Sequence, residues 1–315
     1  MQSFDELGER FQGMERLWRE TIEPALADQK KRRERNLILF GLLVIVTGAL
    51  LYCSYLFAPQ DEPVSVPIIV GAFIVFGMGF GYLMNDLKTR EQAWITKAME
   101  GLGLIYATEP ADFPLGRFRQ MGVIPSYDRS ALEDHIRGEH QGVAFELCEA
   151  ELKEKRTTSS KNGTKTTYVT VFDGLLIRCG FKRSFTGITR IKRDGGFLGN
   201  LFSSGKQDRV RLEDPEFEKA FEVYSDDQVE ARYLLNPGFM QRLLDLDRHL
   251  GSGNLALTFH EQEVWLSLRQ KGDSFRMGGL FKAYSRESVA EFFKGLADLF
   301  HIIEELNRRE RRPGA

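Results

Sequence analysis

The sequence predicts an α+β protein in which a two-helix N-terminal transmembrane hairpin precedes a mainly antiparallel sheet domain with covering helices. Two long uncharged runs, Leu37–Phe57 and Val64–Met84, predict the hairpin. Beyond them, β-type runs with polar, glycine-containing turns are followed by segments of helical period, which is the pattern of an α+β domain. The formal net charge is −2 over 315 residues, so overall charge gives no case for nucleic-acid binding.

The predicted organisation has three parts: an amphipathic cytoplasmic arm (1–35), the transmembrane hairpin (36–85) and a cytoplasmic α+β domain (86–315). The arm has apolar residues at alternating spacings of three and four, which is the seam of an amphipathic helix. They are Phe4, Leu7, Phe11, Met14 and Trp18. This seam is too short for a coiled coil. Three roles stay open for it: packing on the protein's own helices, lying on the inner leaflet, and pairing with another subunit.

Each uncharged run of the hairpin is long enough to cross a membrane. A helix rises about 1.5 Å per residue, and the hydrocarbon core is about 30 Å thick. A signal peptide does not fit the first run, because 36 residues precede it and no small-residue cleavage site follows. Neither run has a charged residue at mid-membrane depth, so the sequence does not indicate a transporter.

Charged residues around the hairpin predict its orientation. The connection 58–63 carries only Asp61 and Glu62. The outer ends of the two spans carry basic residues, namely Lys30, Lys31, Arg32, Arg33, Arg35, Lys88 and Arg90. Positive residues stay on the cytoplasmic side of a membrane. We therefore expect a multi-pass protein of the inner (plasma) membrane whose N- and C-termini are both cytoplasmic.

The first half of the cytoplasmic domain is predicted to contain a helix and a β-hairpin. The helix continues from the second span and stops near Gly101. The runs 143–156 and 166–181 flank a polar, glycine-containing segment, which predicts a hairpin with a long tip. Asp173-Gly174 is a tight-turn pair, so a further strand is predicted from Leu175.

The second half is predicted to begin with helices. Ser225 and Gln228 fit a capping box, and Asn236-Pro237 fits the start of a second helix. Two strands are then expected on either side of a turn at 260–263, with a third around 274–280. The last helix has Ser285 as its cap and an apolar face that should cover the sheet. That face consists of Val289, Phe292, Phe293, Leu296, Phe300 and Ile303.

Motifs for chemistry are missing from the sequence. The five histidines lack metal-ligand spacing, and the glycines of "GNLFSSGKQ" are separated by five residues where a phosphate loop needs four. Cys53 lies in the first span, and the remaining two cysteines, Cys148 and Cys179, could meet across a sheet but should stay thiols in a reducing cytosol. We predict no catalytic residue, no cofactor and no metal site.

One local feature suggests a contact surface. We call the segment 178–211 the basic strip, because it contains nine Lys or Arg residues and only two Asp residues. Basic residues beside apolar loop residues are attracted by an anionic leaflet. The candidate membrane or partner contacts are Lys182, Arg183, Lys192, Arg193, Phe197, Leu198, Leu201 and Phe202. Two alternatives stay open: a solvated strand face with the phenylalanines in the core, and pairing with the acidic segment 212–230.

The segment 209–246 resembles the bacterial Domain of Unknown Function 3137 family. The residues that carry the resemblance are Glu213, Phe217, Phe221, Val223, Asp227, Gln228, Ala231, Arg232, Leu235 and Pro237. The upstream β region is similar as well, and the likeness extends over roughly 92–308. The resemblance implies a bacterial inner-membrane protein with two N-terminal spans, a cytoplasmic domain and no established activity. It also implies a LemA-type membrane protein as a partner, and it supplies no catalytic residues.

We therefore predict a membrane-tethered interaction or scaffold module. Its expected partners are the lipid bilayer and either another membrane protein or a second copy, without nucleic acid. The alternative is a membrane-bound lipid-handling protein or enzyme with a site in the cytoplasmic domain. Polar residues converging in an apolar pocket would favour that alternative, whereas a filled core with only surface patches would favour the first prediction. Within the family segment, Val229, Tyr233 and Leu234 are predicted to be buried, and Arg232 is predicted to pair with Glu222 or Asp227.

Overall fold

A computed structural model of the chain describes residues 11–56, 66–160, 163–193, 207–249, 255–269 and 286–307. The chain divides into two compact units. Unit 1 comprises Met1–Leu102 and Met277–Lys294, and unit 2 comprises Gly103–Arg276 and Gly295–Ala315.

Unit 1 is helical. It contains α1 (Met14–Leu17), a π-helical turn (Trp18–Ile22), α2 (Glu23–Leu56) and α3 (Val66–Gly101). The end of α3 at Gly101 agrees with the predicted stop. The ring of Phe40 on α2 lies 6.1 Å from the ring of Phe76 and 5.8 Å from that of Phe80, both on α3, measured between centroids. The two long helices therefore pack on each other.

One helix of unit 1, Met14–Cys53, is long and apolar enough to cross a membrane by length and composition. The apolar stretch Val70–Tyr82 on α3 is shorter. Within the described residues, one helix thus meets both the length and the composition of a membrane span, where the sequence predicted two spans.

The amphipathic arm packs inside unit 1. Its described seam residues, Phe11, Met14 and Trp18, are buried. Phe11 meets Phe293 edge to face, with ring centroids 6.2 Å apart, and Phe293 belongs to the last helix, α8 (Arg286–Asn307). Internal packing is therefore the role that the structure shows for this seam. The two earlier seam residues, Phe4 and Leu7, lie outside the described residues.

Unit 2 is built on an antiparallel sheet of seven strands. The strands are β1 (Ile105–Ala107), β2 (Arg129–His140), β3 (Val143–Ser160), β4 (Gly163–Arg193), β5 (Asp208–Val210), β6 (Phe221–Ser225) and β7 (Leu255–Arg269). Their order is β1-β2-β3-β4-β6-β5, and β7 pairs with β4. The predicted mainly antiparallel sheet is confirmed, and β3 and β4 form the predicted hairpin. The predicted long tip is wrong, because residues 157–160 of β3 pair with residues 163–166 of β4.

Two predicted turns are wrong, because the strands continue through them. Gly174 pairs with Ala150 on one side and with Arg269 on the other, so β4 does not turn at Asp173-Gly174. In β7, Glu261 has a positive φ of 54°, but the strand bends there and stays paired with β4. A strand that continues along a neighbouring strand keeps its backbone hydrogen bonds, whereas a turn at the same place would break them. The expected third strand at 274–280 lies outside the described residues.

Short helices complete unit 2: α4 (Leu115–Met121), α5 (Pro215–Ala220), α6 (Gln228–Leu234) and α7 (Pro237–His249). The cap of α7 is Asn236, whose Oδ1 accepts from Phe239 N at 3.0 Å, as predicted. The cap of α6 is Asp227 and not the Ser225–Gln228 box, because the Asp227 carboxylate accepts from the N–H groups of Val229 and Glu230.

The apolar faces agree with the predicted period. All six predicted face residues of α8 are buried, although its predicted cap, Ser285, lies outside the described residues.

Phe118 of α4 packs edge to face on Trp265 of β7, at 4.9 Å between ring centroids, in a buried cluster that includes Phe172 and Leu176 of β4. The segment 103–142, which contains α4 and β2, was not assigned from the sequence.

Candidate functional site

Two cations of the basic strip at the end of β4, Lys192 and Arg193, pair with acids of unit 2. Lys192 is 8% exposed, and its Nζ lies 2.9 Å from Glu222 Oε2. Arg193 pairs with Asp247, a buried residue of α7. Glu222 belongs to the acidic segment 212–230, so at Lys192 the strip pairs with that segment within the molecule.

Arg190, in the same part of β4, holds the end of a helix. Its Nε donates to the carbonyl of Met121 at 2.8 Å, and its Nη2 donates to the carbonyl of Gln120 at 3.2 Å. A third bond goes to Gln207. Burial lowers the pKa of Arg190, and the charge of Asp226 opposes this effect. Arg190 therefore caps the C-terminus of α4, where a cation is favourable.

Lys182 and Arg183 lie in an irregular part of β4, between Gly180 and Phe185. The side chain of Lys182 is exposed, and its backbone N–H donates to Asn307 Oδ1 at 3.0 Å. The guanidinium carbon of Arg183 lies 5.3 Å from the ring centroid of Tyr233. The four apolar candidates of the strip lie outside the described residues, namely Phe197, Leu198, Leu201 and Phe202.

Two acids of the α6 segment bind the backbone of β4. The carboxylate of Glu230 accepts from the N–H groups of Thr186 and Gly187, at 3.1 and 3.0 Å. Asp226 accepts from Ile188 N at 2.6 Å. A Cβ at Gly187 would lie 2.5 Å from the Asp226 carboxylate, so this close approach requires glycine. The sequence analysis did not find this contact, because it depends on an irregular strand meeting a distant helix.

The outer face of α6 differs from its prediction. Val229 is 78% exposed and Tyr233 is 72% exposed, so their predicted burial is wrong, whereas Leu234 is buried as expected. A short helix buries only one side. In α6 the buried residues are Ala231 and Leu234, so Val229 and Tyr233 lie on the exposed side. Arg232 bonds to Gln228 Oε1 at 3.1 Å, and not to either predicted acid.

A charged row crosses the sheet beside the aromatic cluster. Glu146 of β3 lies directly opposite Arg178 of β4, and Arg178 lies opposite Trp265 of β7. The Arg178 Nε atom is 2.7 Å from Glu146 Oε1, and its Nη1 is 3.4 Å from Glu263 Oε1. His135 Nε2 is 3.4 Å from the other oxygen of Glu146. Four strands, β2, β3, β4 and β7, assemble this network, so no spacing within the sequence could predict it.

A polar cavity of about 320 Å³ lies beside the end of α8. His140 Nε2 lies 2.6 Å from Glu304 Oε1, and the imidazole stacks on Phe300 at 4.4 Å between centroids. Lys182 and Asn307 also line the cavity. Asn307 bonds the backbone of β4 at Lys182 N and Gly180 O, which fixes this wall. Among the residues that the structure describes, no cluster of three His, Cys, Asp or Glu side chains could hold a metal ion.

Cys148 and Cys179 do not meet across the sheet. Cys148 lies opposite Leu176, and Cys179 lies opposite Phe145. Since Leu176 and Cys179 are three residues apart on one strand, the two thiols project from opposite faces. Both are buried and free, and burial raises the pKa of each, to about 12 for Cys179.

Residues 170–308 match the family described as protein of unknown function (DUF3137), so the predicted family is confirmed over this part of the chain. No curated protein matches the chain. Among solved structures, it is similar to the crystal structure of the mycobacterial trehalose monomycolate transport factor A, TtfA. That likeness has 10% sequence identity and a TM-score of 0.35, and it covers 68% of this chain and 94% of the other.

Proposed function

We propose that this member of the DUF3137 family is a membrane-tethered interaction module of the bacterial inner membrane. In this proposal α2 and α3 form a transmembrane hairpin, both termini are cytoplasmic, and unit 2 presents its surface to a partner at the inner leaflet. The partner is another membrane protein, for which the family resemblance suggests the LemA type, or a second copy of the chain.

The observation that carries the proposal is the exposed apolar surface of the two long helices. On α2, Ile38 is 65% exposed and Ile45 is 67% exposed. On α3, Phe73 is 65% exposed and Met78 is 72% exposed. Leaving apolar surface in water costs about 25 cal/mol per Å², so a lipid environment suits these faces.

Packing between the helices supports a hairpin. Phe40 contacts both Phe76 and Phe80 across the pair. At Gly79, a Cβ would lie 2.9 Å from a methyl of Leu43, so the glycine leaves room for the Leu43 side chain to pack against α3. Small residues serve this purpose in membrane helices.

The pairing of charges within unit 2 supports an interaction role over a catalytic one. Lys192 pairs with Glu222, and Arg178 pairs with Glu146. Charged side chains that pair with each other stabilise the domain, whereas a catalytic side chain must be accessible to a substrate.

Cysteine labelling in spheroplasts tests the topology, with Cys53→Ser as the background. Gln60→Cys lies in the predicted external connection, and Ile105→Cys lies in unit 2. A membrane-impermeant maleimide should label the first in intact spheroplasts and the second only after lysis. Labelling of Ile105→Cys without lysis, or recovery of the protein in the soluble fraction, would contradict the proposal.

Crosslinking of the full-length protein in native membranes, followed by affinity capture and mass spectrometry, tests the interaction role. A reproducible stoichiometric membrane protein, or a crosslinked dimer, is the expected result. A mock purification from cells lacking the protein is the control.

The cavity beside α8 favours a second candidate function, a lipid-handling or enzymatic one. Its volume lies in the range of small-molecule sites, and a carboxylate hydrogen-bonded to His140 can orient the imidazole for proton transfer. Mass spectrometry of the purified protein would then find an enriched lipid or small molecule. That enrichment should fall in Glu304→Gln, and an equal amount in both forms would exclude this cavity as the site.

A further inference from the structure

Among the described residues of unit 2, the most exposed large apolar side chains are Val229 and Tyr233. They lie four residues apart on α6 and are therefore neighbours on the helix surface. Arg232 is exposed on the same side of the helix, and the guanidinium of Arg183 lies over the Tyr233 ring. We call these four residues, Val229, Arg232, Tyr233 and Arg183, the α6 patch.

The nearby acids are bonded to backbone amides. Glu230 accepts from Gly187 N, Asp226 accepts from Ile188 N, and Asp227 accepts from the first N–H groups of α6. These bonds hold the three carboxylates at the strand and at the helix start. The three carboxylates keep their negative charge, and the α6 patch beside them combines two cations with an aliphatic and an aromatic side chain.

We propose that the α6 patch rests on the anionic lipid surface of the inner leaflet. Basic side chains near such a surface are attracted by its negative potential, and tyrosine prefers the boundary between headgroups and acyl chains. This inference rests on the proposed membrane tether, because the tether keeps the domain at high local concentration near the leaflet.

The size of the patch favours lipid over protein as its occupant. A stable protein interface buries about 800 Å² on each partner, through about 20 residues. Two large exposed apolar side chains fall well short of that area. A tethered domain needs only a few contacts to settle on a surface that is already close.

Nitroxide accessibility in reconstituted full-length protein tests the inference. In a Cys53→Ser background, Tyr233→Cys carries the label at the patch, and Ile105→Cys carries it at another exposed site of unit 2. Cys148 and Cys179 should not react, because both are buried. Accessibility to lipid-soluble oxygen is compared with accessibility to a water-soluble nickel chelate, in vesicles with phosphatidylglycerol and in vesicles of pure phosphatidylcholine.

The oxygen-to-nickel ratio at position 233 should be several-fold higher than at position 105 with phosphatidylglycerol. The ratio should fall towards the control value in phosphatidylcholine or when Arg183→Gln and Arg232→Gln are added. Equal ratios at the two positions in both lipids would overturn the inference. Protection of position 233 from both reagents, whatever the lipid, would assign the patch to a protein contact and overturn it too.

A nitroxide label on native Cys53 distinguishes failure of the α6 patch inference from failure of the proposed membrane tether. Cys53 lies in α2 and is exposed in the structure. A lipid-like ratio at Cys53 with an aqueous ratio at position 233 would reject the α6 patch and leave the tether in place. An aqueous ratio at Cys53 would reject the tether itself.

Discussion

Lys192 and Glu222 lie directly opposite each other on β4 and β6, with Nζ and Oε2 2.9 Å apart. Both side chains are largely buried, and Tyr224 donates a further hydrogen bond to Glu222 at 3.2 Å. The pair connects the basic strip to the acidic segment in the interior of unit 2.

Lys192→Met should destabilise the junction of β4 and β6. Removing one partner of a part-buried pair leaves a desolvated carboxylate, at a cost of about 2 kcal/mol. Hydrogen exchange of the full-length protein in detergent should show faster exchange in peptides covering 189–193 and 221–225. Lys165→Met is the matched control, because Lys165 is exposed on the β3–β4 ribbon. Equal exchange in the two variants would contradict a stabilising role for the pair.

Acid should weaken the same junction. Burial raises the pKa of Glu222, but the hydrogen bond and charge of Lys192, with Tyr224 and Arg209, outweigh it and lower that pKa below its ordinary value. The resulting stability is complete above the ordinary pKa of about 4.3 and is lost as the pH falls through the lowered folded value.

The urea midpoint of the wild type should therefore fall more steeply below about pH 4.3 than that of Lys192→Met, in which burial of Glu222 is no longer offset by the lysine. Parallel pH profiles of the two proteins, followed by far-UV circular dichroism, would show that Lys192 does not govern this titration.

Gly187→Ala should loosen the contact between β4 and α6. The added methyl would lie 2.5 Å from the Asp226 carboxylate and 3.1 Å from Asp227 Cβ, so the helix or the strand must shift. We expect a loss of about 2 kcal/mol, as for other overpacked sites. Gly116→Ala in α4 has no atom within 4 Å of its new methyl and should stabilise the protein, because alanine is the better helix former. Thermal unfolding of both variants measures the difference, and equal shifts would refute the steric explanation.

Cys148 and Cys179 should resist thiol reagents in the folded protein. Burial keeps both protonated at neutral pH, since it raises the pKa of each thiol, and a maleimide reacts with the thiolate. In a Cys53→Ser background, mass spectrometry should find no adduct under native conditions and two adducts in urea. An intramolecular disulfide after mild oxidation of the folded protein would contradict their placement on opposite faces.

The sequence predicted those features of the fold that depend on near neighbours. The apolar face of α8 repeats at helical spacing, and Asn236 before Pro237 is a local start signal, so both were found without tertiary information. The β3–β4 hairpin was likewise marked by two β-type runs around a polar tip. For the candidate site, the sequence identified the cations of β4 and gave the acidic segment 212–230 as one alternative partner, which holds at Lys192. It did not identify Asp247 as the partner of Arg193.

The tertiary structure decided which surface each of these residues meets. Val229 and Tyr233 are apolar, yet a short helix places them outward, and Lys192 and Glu222 are charged, yet register places them inward together. Pairing register and the facing of a short helix depend on contacts between residues far apart in the chain. The sequence by itself therefore determined periodicity, caps and apolar runs, whereas only the assembled sheet decided that Lys192 is buried and Tyr233 exposed.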